Sequence, residues 1–173
     1  MQPRPGRCGA DRGGPARSAR TLLSDHDPPS DVALHDTYVA ALRHDLVDLP
    51  EGTRLVGVVR RQTRWFAGAV DENRPELGPP EGLLDDVKRA EEDLKIAGFC
   101  EEEAHNAAWD RADFADRYRD HLADSAEATA AVDGLRNALE DGEDVALVCY
   151  ENTGKKRCHR TLLREELERS DRP

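Results

Sequence analysis

The sequence predicts a single Rossmann-like α/β domain in which helices flank a small parallel sheet. Two short apolar runs rich in β-branched residues, at positions 54–59 and 145–151, indicate buried strands. Longer segments with apolar residues at helical spacing lie between these runs. Because strands that alternate with helices are typical of parallel sheets, the predicted architecture is α/β.

The predicted elements occupy residues 31–170, which we take as the domain. Each helix is recognised by its apolar spacing and by residues that start or stop helices, such as Ser125 and Gly98. The expected order is a helix at 37–46, a strand at 54–59, a loop at 71–82, a helix at 83–96, a helix containing Phe114 and Tyr118, a helix from Ser125 to Gly142, a strand at 145–151 and a helix beginning near Cys158.

Residues 1–30 form a segment rich in Pro, Gly and Arg, with few apolar side chains. Such a segment cannot bury enough surface to become ordered, so we expect a disordered tail. The favoured interpretation is an untethered leader or a start codon assigned too early. The alternative is an arginine patch for a nucleic acid or a membrane.

The charge of the chain is strongly acidic, with a formal net charge of −11. Its basic residues are 21 Arg and only four Lys. Self-repulsion of this size is largely screened at molar salt, where the Debye length is about 3 Å. We therefore expect a halophilic cytoplasmic protein. The absence of a long apolar run argues against a membrane partner, and no secretion signal is recognised.

The turn between the last predicted strand and the last predicted helix gathers several reactive groups. Cys158 precedes that helix, where the backbone N–H groups and the helix dipole favour a thiolate, so Cys158 is the expected nucleophile. Cys149 is expected to resolve an oxidised Cys158, unless it is a packing residue. Glu151 is a candidate acid or base and His159 a candidate proton carrier.

A second group of charged residues follows the strand at 54–59. If the two strands are neighbours, their carboxyl ends share one pocket, as is typical of open parallel sheets. Guanidinium groups there would bind a small anionic molecule. The expected ligands are Arg60, Arg61, Arg64 and Arg160. The alternative is a structural ion network in which Arg60 and Arg160 pair with Glu151 and Glu165.

Three stretches carry a resemblance to a known family. The motifs Cys149-Tyr150-Glu151 and Cys158-His159-Arg160, with the strand at 55–61 that ends in arginines, resemble the domain-of-unknown-function 488 family, in its haloarchaeal branch, over about residues 32–168. The resemblance implies a Rossmann-like domain with the cysteine motifs near the arginines, and no settled activity. This chain has Val58 where the family commonly has Asp, and Thr63 where it has Pro.

These observations favour a domain that binds a small anionic ligand, such as a phosphate or a nucleotide-like molecule, or a thiol-dependent enzyme. A thiol redox or regulatory module is one alternative. A nucleic-acid-associated protein is another, and it is disfavoured because phosphate contacts weaken steeply with salt. No metal site is expected, since Cys149 and Cys158 lack the close spacing of zinc ligands. The sequence indicates neither a cofactor nor an oligomeric state.

Overall fold

The computed structural model of the chain describes residues 33–169, which belong to a compact unit spanning Val32–Pro173. The expected tail at 1–30 lies outside the described residues. The strands are β1 (Leu34–Tyr38), β2 (Arg54–Gly57), β3 (Glu72–Asn73) and β4 (Val145–Cys149). The helices are α1 (Val39–Arg43), α2 (Arg64–Ala67), α3 (Glu81–Ile96), α4 (Glu101–Arg111), α5 (Phe114–Asp124), α6 (Ala126–Glu140) and α7 (His159–Arg169).

The four strands form one sheet in the order β1-β4-β2-β3, and every neighbouring pair is parallel. The predicted α/β class is therefore confirmed. β4 lies between β1 and β2, and all five of its residues are buried. A strand buried on both faces needs a continuous apolar run, which is what residues 145–149 supply. β4 is consequently the centre of the fold.

Most of the helices belong to the long connection between β3 and β4. α3 packs against α4, and α5 packs against α6, while α6 and α7 both contact β4. The Ser125 side chain accepts a hydrogen bond from the Ala128 backbone N–H at 3.3 Å, so the predicted cap of α6 is confirmed. Among residues 33–169, no helix is both long enough and apolar enough to span a bilayer.

The first predicted element is partly wrong. Residues 37 and 38 belong to strand β1, and only Val39–Arg43 is helical, whereas a helix was expected over 37–46. The strand pairs with β4 in a register that sets Leu34 against Val145 and Tyr38 against Cys149. This ladder involves a partner far along the chain, so local spacing does not reveal it.

The predicted loop at 71–82 also contains regular structure. The two-residue strand β3 pairs with β2, and Pro75–Leu77 forms one turn of 3-10 helix. Helix α3 begins at Glu81, two positions before the predicted helix at 83–96. The strand β3 and the turn that begins at Pro75 were not predicted. A two-residue edge strand and a proline at the start of a helical turn are both weak signals in a segment rich in Pro and Gly.

Candidate functional site

The carboxyl ends of β2 and β4 lie side by side, because these two strands are direct neighbours in the sheet. The pairing continues one residue beyond β2, where the Val58 N–H donates to the Val148 carbonyl at 3.0 Å. A cavity of about 220 Å³ opens at this edge. Its lining residues are Val59, Arg60, Arg61, Pro79, Leu84, Val87, His105, Trp109, Phe114, Cys149, Tyr150, Glu151, Arg157, Cys158 and His159.

The two cysteines and the histidine expected to be functional meet at this cavity. The Cys158 thiol donates to Cys149 Sγ at a sulfur–sulfur distance of 3.2 Å. His159 Nδ1 lies 3.7 Å from Cys158 Sγ and 4.0 Å from Cys149 Sγ. All three residues are buried, with Cys149 and Cys158 exposed by 4% and 3%. The end of β4 and the start of α7 thus bring two thiols and an imidazole into one cluster.

The ring of His159 has a fixed orientation. Its Nε2 lies 2.6 Å from the Val58 carbonyl, and a carbonyl only accepts hydrogen bonds, so Nε2 carries a hydrogen. Nδ1 is therefore the atom that gains or loses a proton, and it faces the two sulfurs. The ring of Tyr118 packs edge-on against the imidazole at 5.4 Å between centroids. Val58 contributes its backbone carbonyl to this arrangement.

The two thiols differ in acidity. The hydrogen bond from Cys158 holds the pKa of the Cys149 thiol well below its ordinary value, against the opposing effect of burial, and the charge of His159 acts in the same direction. The same hydrogen bond, together with burial and the negative charge on Cys149, raises the pKa of the Cys158 thiol well above its ordinary value. These contacts favour Cys149 as the more acidic thiol of the pair, whereas the sequence prediction named Cys158.

The cluster contains three residues of types that ligate metals. The three candidate ligand atoms of Cys149, Cys158 and His159 lie within 4.8 Å of one another. Two thiolates on one tetrahedral zinc, with bonds of about 2.3 Å, are about 3.8 Å apart. The observed sulfur–sulfur distance of 3.2 Å instead fits a thiol that donates to a thiolate. The expectation of no metal stays a prediction.

The four arginines expected to bind an anion occupy different surroundings. Among the described residues that line the cavity are Arg60 and Arg61, but not Arg64 or Arg160. Arg60 donates to the carbonyls of Gly78 and Pro79 at 2.8 and 3.1 Å. Arg61 is 69% exposed and pairs with the exposed carboxylate of Glu81 at 3.0 Å. Of these four arginines, Arg60 and Arg61 are therefore the two placed to contact a molecule in the cavity.

Arg160 is buried in an ion pair beneath the sheet edge, with 1% of its side chain exposed. Its Nε donates to Asp36 Oδ2 at 3.0 Å, and its Nη1 donates to the Thr37 carbonyl. Its Nη2 donates to Thr153 Oγ1 at 3.2 Å. Arg160 thus ties β1, the loop after β4 and helix α7 together. Its partner is Asp36, not the Glu151 or Glu165 side chain that the alternative network invoked.

The loop before α7 is held in place by α4. The Asn106 side chain accepts from the Arg157 N–H at 3.0 Å and donates to the Lys155 carbonyl at 3.2 Å. His105 contacts the Arg157 carbonyl at 2.9 Å. Three cations of the loop pair with acidic residues of α4: Lys155 with Glu102, Lys156 with Glu101 and Arg157 with Asp110.

Glu151 and Tyr150 form the outer part of the site. The Glu151 side chain is 39% exposed, lines the cavity and lies 4.0 Å from Lys156 Nζ. The Tyr150 hydroxyl accepts from the Thr63 N–H at 2.9 Å and donates to the Arg61 carbonyl at 3.2 Å. Thr63 also caps α2 through its hydroxyl, so both its N–H and its side chain are used, and proline would lack that N–H.

Sequence reasoning missed several residues that support the site. Asp36 was missed because β1 was not recognised as a strand. Had β1 been recognised, a carboxylate in a strand beside the apolar β4 would have indicated a buried ion pair. Tyr118 was recognised only as a helical apolar residue, yet its hydroxyl donates to the Leu77 carbonyl at 2.6 Å and burial raises its pKa well above the ordinary value. Arg157 was not among the predicted ligand-binding residues, although it lines the cavity.

The fold and the site define a small parallel-sheet α/β protein with a paired-thiol pocket at the carboxyl edge of its sheet. The sequence model of the family DUF488-N3a, described as the active DUF488-N3 subclade, matches residues 37–171. The match covers most of the chain, and the protein belongs to this family. No curated protein and no solved structure matches the chain in the same comparisons.

Proposed function

We propose that this protein is a thiol-dependent enzyme that binds a small anionic molecule and uses Cys149 as its nucleophile. One observation carries the proposal. Cys149 Sγ lies 3.2 Å from the Cys158 thiol and 4.0 Å from His159 Nδ1, at a cavity that Arg60 and Arg61 also line. A thiolate is nucleophilic when cations and hydrogen-bond donors stabilise it, and this cluster supplies both.

The proposed roles follow from the positions of the hydrogens. Since His159 Nε2 is occupied by the Val58 carbonyl, Nδ1 takes the proton that Cys149 releases. The resulting imidazolium and thiolate stabilise each other in a buried setting. Glu151 stands at the mouth of the cavity, where its carboxylate can exchange protons with a bound molecule and with solvent.

The proposed ligand has an apolar body and an anionic group. The cavity wall is largely aliphatic and aromatic, with Leu84, Val87 and Trp109 among its members. Arg61 is the most available cation, because its pair with Glu81 is exposed and such pairs are worth little. A small molecule is favoured over a nucleic acid, since the loop cations at 155–157 are each paired with a carboxylate of α4.

The reactivity of Cys149 gives the first test. We expect iodoacetamide to label Cys149 at a pH below the ordinary thiol range, and we expect the Cys158→Ala variant to need a higher pH. Removing the donor raises the pKa of Cys149, and each unit of increase slows labelling at lower pH by about tenfold. Mass spectrometry of the labelled peptides measures each site separately.

The control for this experiment is Cys149→Ser, which should abolish the labelling at low pH while leaving the thermal unfolding profile close to that of the native chain. Preferential labelling of Cys158, or labelling of both thiols only in the ordinary alkaline range, would contradict the assignment of Cys149 as the nucleophile.

The anionic part of the ligand gives the second test. We expect inorganic phosphate and a nucleoside monophosphate, added at constant high ionic strength, to raise the melting temperature of the native chain. Arg61→Gln should weaken this binding by about tenfold or more, because a hydrogen bond to a charged group contributes about 1.5–3 kcal/mol. Thermal-shift titration of each anion measures the effect.

Arg64→Gln is the matched control, since Arg64 is exposed at the start of α2 and lies outside the residues that line the cavity. It should bind both anions as the native chain does. Equal weakening by the two substitutions would assign the effect to overall charge and would count against a site at Arg61.

We also propose that the protein works in the salt-rich cytoplasm of a halophile and comes from the haloarchaeal branch of its family. The net charge of −11 and the preference for Arg over Lys support this proposal. At molar salt the repulsion between the acidic groups is screened to a range of about 3 Å. Comparing unfolding midpoints in dilute buffer and in molar potassium chloride tests it, with higher stability expected in the salt.

A further inference from the structure

We propose that Cys149 and Cys158 form a reversible disulfide and that the pair reduces small hydroperoxides, an activity that rests on the proposed role of Cys149 as nucleophile. The sulfurs are 3.2 Å apart in the dithiol state. A disulfide bond is about 2.05 Å long, so the sulfurs have to approach by only about 1 Å. Cys149 ends β4 and Cys158 precedes α7, so the approach takes place where two regular elements meet.

The burial of the two sulfurs limits the size of the oxidising molecule that can reach them. With exposures of 4% and 3%, Cys149 and Cys158 are out of reach of a disulfide on another protein. The route to them is the cavity of about 220 Å³, which admits only a small molecule. A hydroperoxide needs to present just one oxygen atom to the thiolate. Hydrogen peroxide and small organic hydroperoxides are therefore the chemical class that the site accepts.

The first step transfers oxygen to Cys149. The Cys149 thiolate attacks the terminal oxygen of R–OOH, and the O–O bond breaks. Cys149 becomes a sulfenic acid, and the alkoxide that leaves takes the proton held on His159 Nδ1 to form R–OH. The sulfur is oxidised by two electrons, and the peroxide is reduced by two electrons.

The second step uses Cys158 as the resolving thiol. His159 Nδ1, 3.7 Å from Cys158 Sγ, accepts its proton, and the new thiolate attacks the sulfur of Cys149. The S–OH bond breaks, and the departing hydroxide takes the same proton to form water. The sum converts two thiols and one R–OOH into a disulfide, R–OH and water. Two equivalents of a small-molecule thiol then restore the dithiol and leave as their own disulfide.

The test is the reaction of the reduced full chain with one equivalent of tert-butyl hydroperoxide. We expect the native chain to consume peroxide about tenfold or more faster than the same chain unfolded in urea, because only the folded cluster holds a stabilised thiolate. Peptide mapping should show Cys149 joined to Cys158. Arg64→Gln is the matched surface control and should react as the native chain does.

Two variants separate the steps. Cys158→Ser should consume one equivalent of peroxide and stop at a sulfenic acid on Cys149, which dimedone traps. Cys149→Ser should react at the slow rate of the unfolded chain. A native chain that reacts no faster than the unfolded chain, or that accumulates sulfenic acid without the Cys149–Cys158 bond, would overturn the inference.

The two proposals fail in different ways. If iodoacetamide selects Cys149 at low pH while the peroxide forms no disulfide with Cys158, the nucleophile assignment stands and the peroxide activity is rejected. If neither reagent distinguishes Cys149 from an ordinary thiol, both proposals are rejected.

Discussion

Replacing Arg160 by methionine is expected to lower the free energy of unfolding by about 3–5 kcal/mol, which is typical for breaking one side of a buried ion pair. The guanidinium donates to Asp36 and Thr153, as well as to the Thr37 carbonyl, and its side chain is 1% exposed. Methionine fills much of the volume but donates nothing. The Thr37 carbonyl and part of the Asp36 carboxylate then stay buried without that donor.

Arg164→Met is the matched control for this substitution. Arg164 pairs with the same carboxylate, Asp36, at 2.6 Å, yet 40% of its side chain is exposed. Pairs of this kind contribute about 0.2–1 kcal/mol, so a much smaller loss is expected. Urea unfolding followed by circular dichroism measures both variants. Native stability in Arg160→Met, combined with lost phosphate binding, would instead favour Arg160 as an anion ligand.

Gly78→Ala is the second substitution with a large expected effect, a loss of about 3 kcal/mol, the upper end of the usual range for overpacking. A Cβ at this position would lie 2.3 Å from the backbone nitrogen of Arg60 and 2.7 Å from its Cα. The backbone of Gly78 is extended, with φ −74° and ψ 152°, so the cost arises from space and not from conformation. Relief requires the chain around Arg60 to move, which also disturbs the cavity.

Gly134→Ala provides the opposite control. Gly134 lies inside α6, and a Cβ there meets nothing within 4 Å. Alanine in a helix interior is more favourable than glycine by about 0.5–1 kcal/mol, so a small gain is expected. Thermal and urea unfolding of both variants measures the difference. A Gly78→Ala protein as stable as the native chain would contradict the prediction, because it would show that the segment after β3 can move away from Arg60 at little cost.

Prediction from the sequence succeeded where the signal is local. Residues 145–150 form one uninterrupted apolar run, and the two cysteines, the histidine and the glutamate of the site lie on either side of a single turn. Their convergence therefore needed no knowledge of distant contacts. The position of Arg60 and Arg61 at the same cavity as the cysteines was predicted from the rule that pockets form at the carboxyl ends of neighbouring parallel strands.

The prediction failed where an element depends on a distant partner. Among the strands of residues 33–169, β1 pairs only with β4, from Leu34 against Val145 onward, and its own residues alternate too weakly to indicate a strand. Because β1 was not recognised, Asp36 was not predicted to lie beside β4. Without that prediction, the buried ion pair between Asp36 and Arg160 could not be predicted either. For the same reason Arg160 was expected to face the cavity. One unrecognised strand thus explains why both Asp36 and the buried position of Arg160 were not predicted.

The acidity of the two thiols also lay beyond the sequence. A cysteine before a helix is a reasonable thiolate, and this reasoning favoured Cys158. The hydrogen bond from Cys158 to Cys149 favours the opposite assignment, and it depends on how the end of β4 meets the start of α7. Residue spacing does not encode this contact between two elements.

The place of β4 in the sheet also sets the order in which the molecule assembles. Among the described strands, β1 and β2 pair with β4 and not with each other. While a ribosome is still synthesising α3 to α6, β1 has no neighbour, and the edge of β2 that later meets β4 is open to other chains. The sheet closes only when the late segment inserts between them, which makes folding non-local and slow. Until β4 inserts, we expect those open edges to be where the growing chain is most prone to pair with other chains.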